Sequence, residues 1–255
     1  FKDKLEAINY ELLKCKECKF VWQKSIPNKN FSIDLYENII DSEQSLKKSK
    51  LKFHNQKDSN KKEIKKIICY FEKEKINILD FGAGWGHWLM SGPETYYDPY
   101  AFELSPSRKK FIISNGIKVL NLDTINSYEN FFHYIRLDQV LEHLDEPNDA
   151  IKIMKKLGKK NCIFFVSVPD GREIIEKEKI LHVKKGPVQP LEHLNCFSKY
   201  SLKKFLDMHG FRPLNLQEMI MMNIKDFRLD VISLKSFFQD IKSYFFSTTI
   251  KFKLK

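Results

Sequence analysis

Three glycines at alternate positions, Gly82, Gly84 and Gly86, follow a short apolar run that ends in Asp80-Phe81, with Ala83 between the first two. This is the pattern of a strand running into a loop of bare backbone. Glycine takes positive φ there and lets a ligand approach the main-chain amides. A dinucleotide fingerprint, G-x-G-x-x-G, needs its third glycine at position 87, where this chain has His87. Glu103 stands 17 residues after Gly86, at the end of the next predicted strand. An acid in that place accepts hydrogen bonds from both hydroxyls of a ribose.

Two imidazoles follow acids directly, in Glu142-His143 and Glu192-His193. Histidine is the default base at neutral pH, so His193 and His143 are candidates to take a hydroxyl proton, with Glu192 or Glu142 orienting a ring. The structural alternative is that His143 caps a helix and His193 pins a loop. Cys15-Lys-Glu-Cys18 is half of a zinc knuckle. A structural zinc site wants four ligands, and Cys69, Cys162 and Cys196 are too scattered to form a second pair. Zinc at Cys15 and Cys18 is therefore expected only if a further Cys pair lies upstream.

The elements that must position these groups alternate. A helix is predicted over 61–73, then a strand over 76–81, a short helix over 85–91 and a strand over 100–103. Ser105-Pro106-Ser107 opens a helix, which Asn115-Gly116 closes before a strand over 118–122. A strand over 133–139, a helix over 149–157 and a continuous apolar strand over 162–168 follow. Residues 170–198 show no period, and a loop of that length is usually functional. A helix over 201–209, a strand over 214–221, an amphipathic helix over 226–246 and a strand over 248–254 complete the chain. Ahead of these lie a strand-turn-strand over 10–23 and a helix over 35–46. The predicted fold is α/β: a Rossmann-like, seven-stranded, mostly parallel sheet with helices on both faces and a small N-terminal appendage. Residues 1–60 form the appendage and 61–255 the cofactor-binding domain.

The segment Ile78–Met90, with its acid and three glycines, resembles motif I of the class I S-adenosylmethionine (SAM) methyltransferases. The resemblance continues through Leu137-Asp138-Gln139-Val140-Leu141-Glu142-His143, Phe165–Gly171, Glu192–Ser198 and Gly210-Phe211, in the same order over residues 76–212. It resembles the type 11, 12 and 23 domains, with a remnant of the N-terminal zinc ribbon found in sugar methyltransferases. It implies SAM as cofactor and S-adenosylhomocysteine as product. The cofactor side would be built from Asp80, Gly82, Ala83, Gly84, Gly86, Glu103, Leu104, Asp123, Gln139 and His143. It also implies Tyr36 as a lid over the cofactor and a sugar, nucleotide-sugar or surface-polysaccharide precursor as acceptor, O-methylated. His133 occupies a strand-four position where the family often has an acid, a departure that either alters the cofactor side or simply caps a strand.

Composition narrows the competing classes. A hydrophobic content of 42% with 21 Phe describes a packed globular chain rather than a disordered one. No apolar run approaches the ~18–20 residues of a membrane span, so a cytoplasmic protein without membrane contact is expected. The net charge of +11 suits an anionic small molecule. Nine of the lysines fall in residues 47–66, against two acids. That stretch lacks the aromatics of a nucleic-acid platform and reads as a solvated linker or helix face. Three further readings stay open: a methyltransferase of phosphorylated metabolites or RNA, a zinc-ribbon nucleic-acid-binding module, and a nicotinamide oxidoreductase. Nothing in the sequence sets the oligomeric state.

Overall fold

The computed structural model describes residues 10–35, 42–71, 75–93, 95–177, 186–227 and 248–254. Tyr36, His182 and most of the amphipathic helix expected over 226–246 lie outside the described residues. Seven strands form one sheet: β3 (Ile76–Phe81), β4 (Tyr97–Phe102), β5 (Lys118–Leu120), β6 (Phe132–Asp138), β7 (Gly158–Ser167), β9 (Phe211–Pro213) and β10 (Thr249–Leu254). Their order is β5-β4-β3-β6-β7-β10-β9. β3, β4, β5, β6 and β7 pair in parallel, and β10 runs antiparallel to both of its neighbours. The direction of winding reverses at β3, which puts a ligand crevice beyond its carboxyl end.

Residue alternation on β3 decides which layer each side chain joins. Ile76 and Ile78 pack with Ile64 and Ile67 of α2 (Ser42–Phe71), Ile112 of α3 (Pro106–Ser114) and Met222 of α7 (Leu216–Phe227). Leu79 and Phe81 face the other way, onto Ala150, Ile151 and Met154 of α4 (Pro147–Leu157) and Leu202 and Leu206 of α6 (Lys199–Met208). Helices on both faces of a mostly parallel sheet are what the alternating pattern predicts. Ser105 caps α3 by accepting from the Arg108 amide, with Pro106 in the first turn.

One local expectation changes and two open readings close. Of the two readings of the Lys-rich stretch, the solvated helix face holds: α2 runs unbroken through residue 60, with most of its lysines exposed and Ile64 and Ile67 inside. Residues 214–221 are not a strand but the start of α7. Asn215 Oδ1 accepts from the Glu218 amide at 2.8 Å, and Glu218 Oε2 accepts from the Asn215 amide at 2.9 Å. That reciprocal cap starts a helix where the apolar run alone suggests a strand. His133 sits at the N-terminal end of β6 and accepts the Asn77 amide at Nδ1, 3.0 Å away. It therefore braces the end of the sheet opposite the glycine loop.

A second, three-stranded sheet orders β1 (Leu12–Lys14), β2 (Val21–Gln23) and β8 (Asn195–Cys196). β8 comes from the long loop after β7, which also contains the short helix α5 (Arg172–Lys177). The N-terminal hairpin, preceding α1 (Lys29–Asp34), is thereby stitched to that loop. Among the described residues no helix is long and apolar enough to cross a membrane.

Phe252 is fully buried, paired with Phe164 on one side and Pro213 on the other. Phe252→Ala is expected to lower unfolding free energy by about 3–5 kcal/mol in urea denaturation. A loss below about 1 kcal/mol would contradict this packing.

Candidate active site

The glycine loop leaves β3 with Gly82, Gly84 and Gly86 at φ of 79°, 57° and 71°. Gly82 is fixed by space as well as by φ, because a Cβ there would stand 2.6 Å from Val140 Cγ2. The Gly82 and Ala83 amides donate to the Phe102 carbonyl at 2.8 and 3.1 Å, tying the loop to the end of β4. The next residue of that strand's exit is Glu103, whose carboxylate is nearly buried. Its Oε2 accepts from the Gly84 amide at 2.8 Å, and its Oε1 from Leu104 and Ser105 at 2.8 and 2.9 Å. Leu104 and Leu122 stand exposed past the ends of the neighbouring strands β4 and β5, apolar surface of the kind a purine base covers. Asp123 follows Leu122 and is exposed.

α2 lies over this loop. Ser45 accepts from Trp85 Nε1 at 3.2 Å, Ser49 bonds His87 Nδ1 at 2.7 Å, and Phe53 stacks on the His87 ring at 4.9 Å. Residues 45, 49 and 53 share one face of a helix. His87 is thus engaged with α2.

Beneath the loop lies a buried charge cluster. Arg136 is paired in register with Asp80 across β3 and β6. Its Nη1 donates to Asp80 Oδ1 at 3.2 Å and its Nη2 to Asp138 Oδ2 at 2.6 Å. The guanidinium also lies 4.6 Å from the Trp88 ring centre. Burial pushes the Asp80 carboxyl up to about 6 against the pull of Arg136. Burial alone would lower Arg136, but the carboxylates of Asp80 and Asp138 hold it above its ordinary value. Sequence reasoning passed over Arg136; its signal is a basic residue among Tyr134, Ile135 and Leu137 in a central strand.

The two imidazoles meet at the exit of β6. Gln139, at φ 58°, donates its amide to the Ser167 carbonyl at 2.8 Å and its Nε2 to Ser167 Oγ at 3.2 Å. A turn of 3-10 helix, Leu141–His143, follows. His143 and His193 pack edge to face, 4.8 Å between ring centres. His143 Nδ1 lies 2.8 Å from the Glu192 carbonyl, and His193 Nδ1 lies 2.9 Å from the Gly186 carbonyl. A carbonyl only accepts, so each Nδ1 carries the proton and each Nε2 keeps its lone pair. Glu192 therefore meets His143 through its main-chain oxygen, while its carboxylate accepts from Gln189.

Burial pulls His143 down to about 4, with His193 adding to the fall, and burial also lowers His193. Glu142 is buried, neither carboxylate oxygen has a hydrogen-bond partner, and burial pushes it up to about 8. Two amide side chains brace the site. Asn195 Nδ2 donates to the Leu141 and Leu144 carbonyls at 3.1 and 2.6 Å. Gln23 Nε2 donates to the Gln189 and His193 carbonyls at 3.0 and 2.8 Å. Asn195 lies within the Glu192–Ser198 segment without having been singled out, and Gln23 belongs to no spacing pattern that sequence reasoning could have used.

Cys15 and Cys18 sit at the β1–β2 turn as half-buried free thiols, and no third ligand from the described residues joins them. Main-chain hydrogen bonds at Cys18 and Glu17 lower the Cys15 thiol, and burial raises that of Cys18.

A seven-stranded sheet with one reversed strand, a glycine loop at the winding reversal and an acid on the neighbouring strand define a class I SAM-dependent methyltransferase. The family described as a methyltransferase domain matches residues 53–216, and the chain belongs to it. SAM is its methyl donor and S-adenosylhomocysteine its product. This sets the nicotinamide reading aside. Among solved structures, Burkholderia thailandensis 1,6-didemethyltoxoflavin-N1-methyltransferase, with 1,6-didemethyltoxoflavin and S-adenosylhomocysteine bound, is similar with a TM-score of 0.50 at 13% identity, over 80% of this chain and 90% of that one. A SAM-dependent methyltransferase from Archaeoglobus fulgidus gives 0.41 at 20% identity, over 63% and 72%. One from Thermotoga maritima, a possible histamine N-methyltransferase, gives 0.45 at 19%, over 67% and 79%. No curated protein matches by sequence. The residues suit SAM: a Cβ at Gly84 would meet nothing within 4 Å, so that part of the loop faces open space beside the Glu103 carboxylate.

Two outcomes follow from the buried charges. Arg136→Met leaves Asp80 and Asp138 uncompensated and is expected to cost about 3–5 kcal/mol in chemical denaturation; a neutral result would refute the charge cluster. Glu142 ionises near 4.5 in the unfolded chain but keeps its proton to about 8 in the fold. Its contribution to stability is full below the lower value and is lost as pH rises through that window. With EDTA present, Glu142→Gln should gain thermal stability over the parent as pH goes from about 5 to about 8. An unchanged gap would contradict the burial of that carboxyl.

Proposed function

We propose that the chain transfers the SAM methyl group to a hydroxyl of a small acceptor, a sugar, nucleotide-sugar or surface-polysaccharide precursor. The observation that carries this reading is the imidazole pair whose Nδ1 atoms both face main-chain carbonyls. That arrangement offers two neutral nitrogens to a hydroxyl proton. His193 is the base: His143, pulled down to about 4, holds a proton too weakly at neutral pH. His143 positions the acceptor hydroxyl beside it.

Bound SAM supplies a methyl group on a sulfonium, with a neutral thioether as leaving group. Glu103 accepts from the ribose. Three of the roughly four acceptor directions of its carboxylate are already used by amides, so taking both hydroxyls frees the Gly84 amide to face the cofactor. Ala83, Gly84 and Gly86 line the methionine end, and Asp80 holds the loop's root. Leu104 and Asp123 take the adenine side, and Gln139 the exit of β6. Residues 61–255 carry the donor. The appendage up to residue 60 supplies Gln23, Ser45 and Ser49, which fix the loops on either side of it. The basic surface favours an anionic acceptor.

Calorimetric titration tests the cofactor side: Glu103→Ala should weaken SAM binding by at least about tenfold, near 1.4 kcal/mol. His193→Ala should bind SAM normally and turn over about 10²–10⁴-fold more slowly with a nucleotide-sugar panel. The parent rate should fall on the acid side, with a midpoint below the usual 6.5 of histidine, as His193 gains a proton. SAM binding lost in His193→Ala, with normal turnover at saturation, would overturn the assignment.

A further inference from the structure

Among the described residues, one group of three side chains brings potential metal ligands together: Glu142, His143 and His193, whose ligand atoms all lie within 4.8 Å of one another. We infer that these three side chains form a binding site for a divalent transition-metal ion, with zinc the ion that best suits the donors.

Glu142 is the first argument. Its side chain is 1% exposed, and neither carboxylate oxygen has a hydrogen-bond partner. A buried carboxylate is costly unless a cation or donors answer it. His143 Nε2 stands 3.9 Å from Oε1, too far for a hydrogen bond. A divalent ion between the two displaces the carboxyl proton to solvent and answers the carboxylate that is left.

The imidazoles are the second argument. Metal-binding histidines almost always donate their other ring N–H to a carbonyl or carboxylate, which fixes tautomer and ring plane. Both rings here already do so, toward Glu192 and Gly186. Each Nε2 is left with its lone pair, the form a metal requires. Two imidazole nitrogens and one carboxylate oxygen suit zinc and its neighbours, whereas magnesium and calcium prefer oxygen alone. Three protein ligands also leave a fourth position open.

The third argument is the support. Asn195 grips both sides of the turn that carries Glu142 and His143, and Gln23 grips the main chain of His193. With bonds of 2.0–2.1 Å, tetrahedral ligand atoms stand about 3.4 Å apart, so the three groups close by up to about 1.4 Å through side-chain torsions.

The consequence rests on His193 serving as the base. An ion on its Nε2 occupies the atom that would take the proton, so a filled site and proton transfer exclude one another. Methyl transfer then falls when the ion binds and returns with a chelator.

The test is equilibrium dialysis of the full chain against Co²⁺, with Cys15→Ser and Cys18→Ser introduced so that thiols do not contribute. One ion per chain is expected. Glu142→Gln, His143→Ala and His193→Ala, made in the same background, should each weaken binding at least about tenfold while circular dichroism and thermal unfolding show each still folded. No Co²⁺ bound by a protein that titrates SAM, or equal binding by a His143→Ala/His193→Ala double variant, would overturn the site. Co²⁺ bound through the histidines without slowing methyl transfer would uphold the site and overturn His193 as the base.

Discussion

The crevice depends on one guanidinium. Arg136 lies between Asp80 and Asp138, at the ends of the two strands that flank the winding reversal. Without it, two carboxylates would sit in a low-dielectric pocket beneath the loop that receives SAM. With it, β3 and β6 end at a common level, and the glycine loop and the Gln139 exit leave from a fixed base. Trp88, stacked on the guanidinium, closes the cluster from the helical side and donates its indole N–H to Glu63 of α2.

The second organising element is the appendage. β1 and β2 do not fold as a separate unit: β2 pairs with β8, and Phe20 packs on Phe197. Gln23, almost fully buried, uses its side-chain amide to hold two carbonyls of the loop that bears His193. The N-terminal hairpin thus sets the position of the acceptor side, while α2 sets that of the donor loop. One stretch of chain ahead of the sheet serves both halves of the site.

Much of the fold was legible because local signals agreed with tertiary ones. Three glycines that all take positive φ, the Ser105-Pro106 cap and the apolar run of β7 each have one stable solution. The misreadings occur where two signals compete. Leu214–Met221 has the apolar density of a strand, yet Asn215 and Glu218 cap each other and start a helix. The lysines of α2 hide the narrow stripe of Ile64 and Ile67 that holds the helix to the sheet. In the site, the Glu-His pairs were visible, but their hydrogen bonding was not. Spacing cannot show that Glu192 acts on His143 through a carbonyl, or that a glutamine more than a hundred residues earlier fixes the loop.

The reversed strand has a consequence for how the molecule assembles. β10 separates β7 from β9, so β9 has no place in the sheet until residues 249–254 have been made. During synthesis the apolar β7 presents an unpaired edge while β3, β4, β5 and β6 are already able to form. Exposed edges of that kind invite pairing with other chains. Insertion of β10 between β7 and β9 is therefore the step at which chains divide between folding and aggregation.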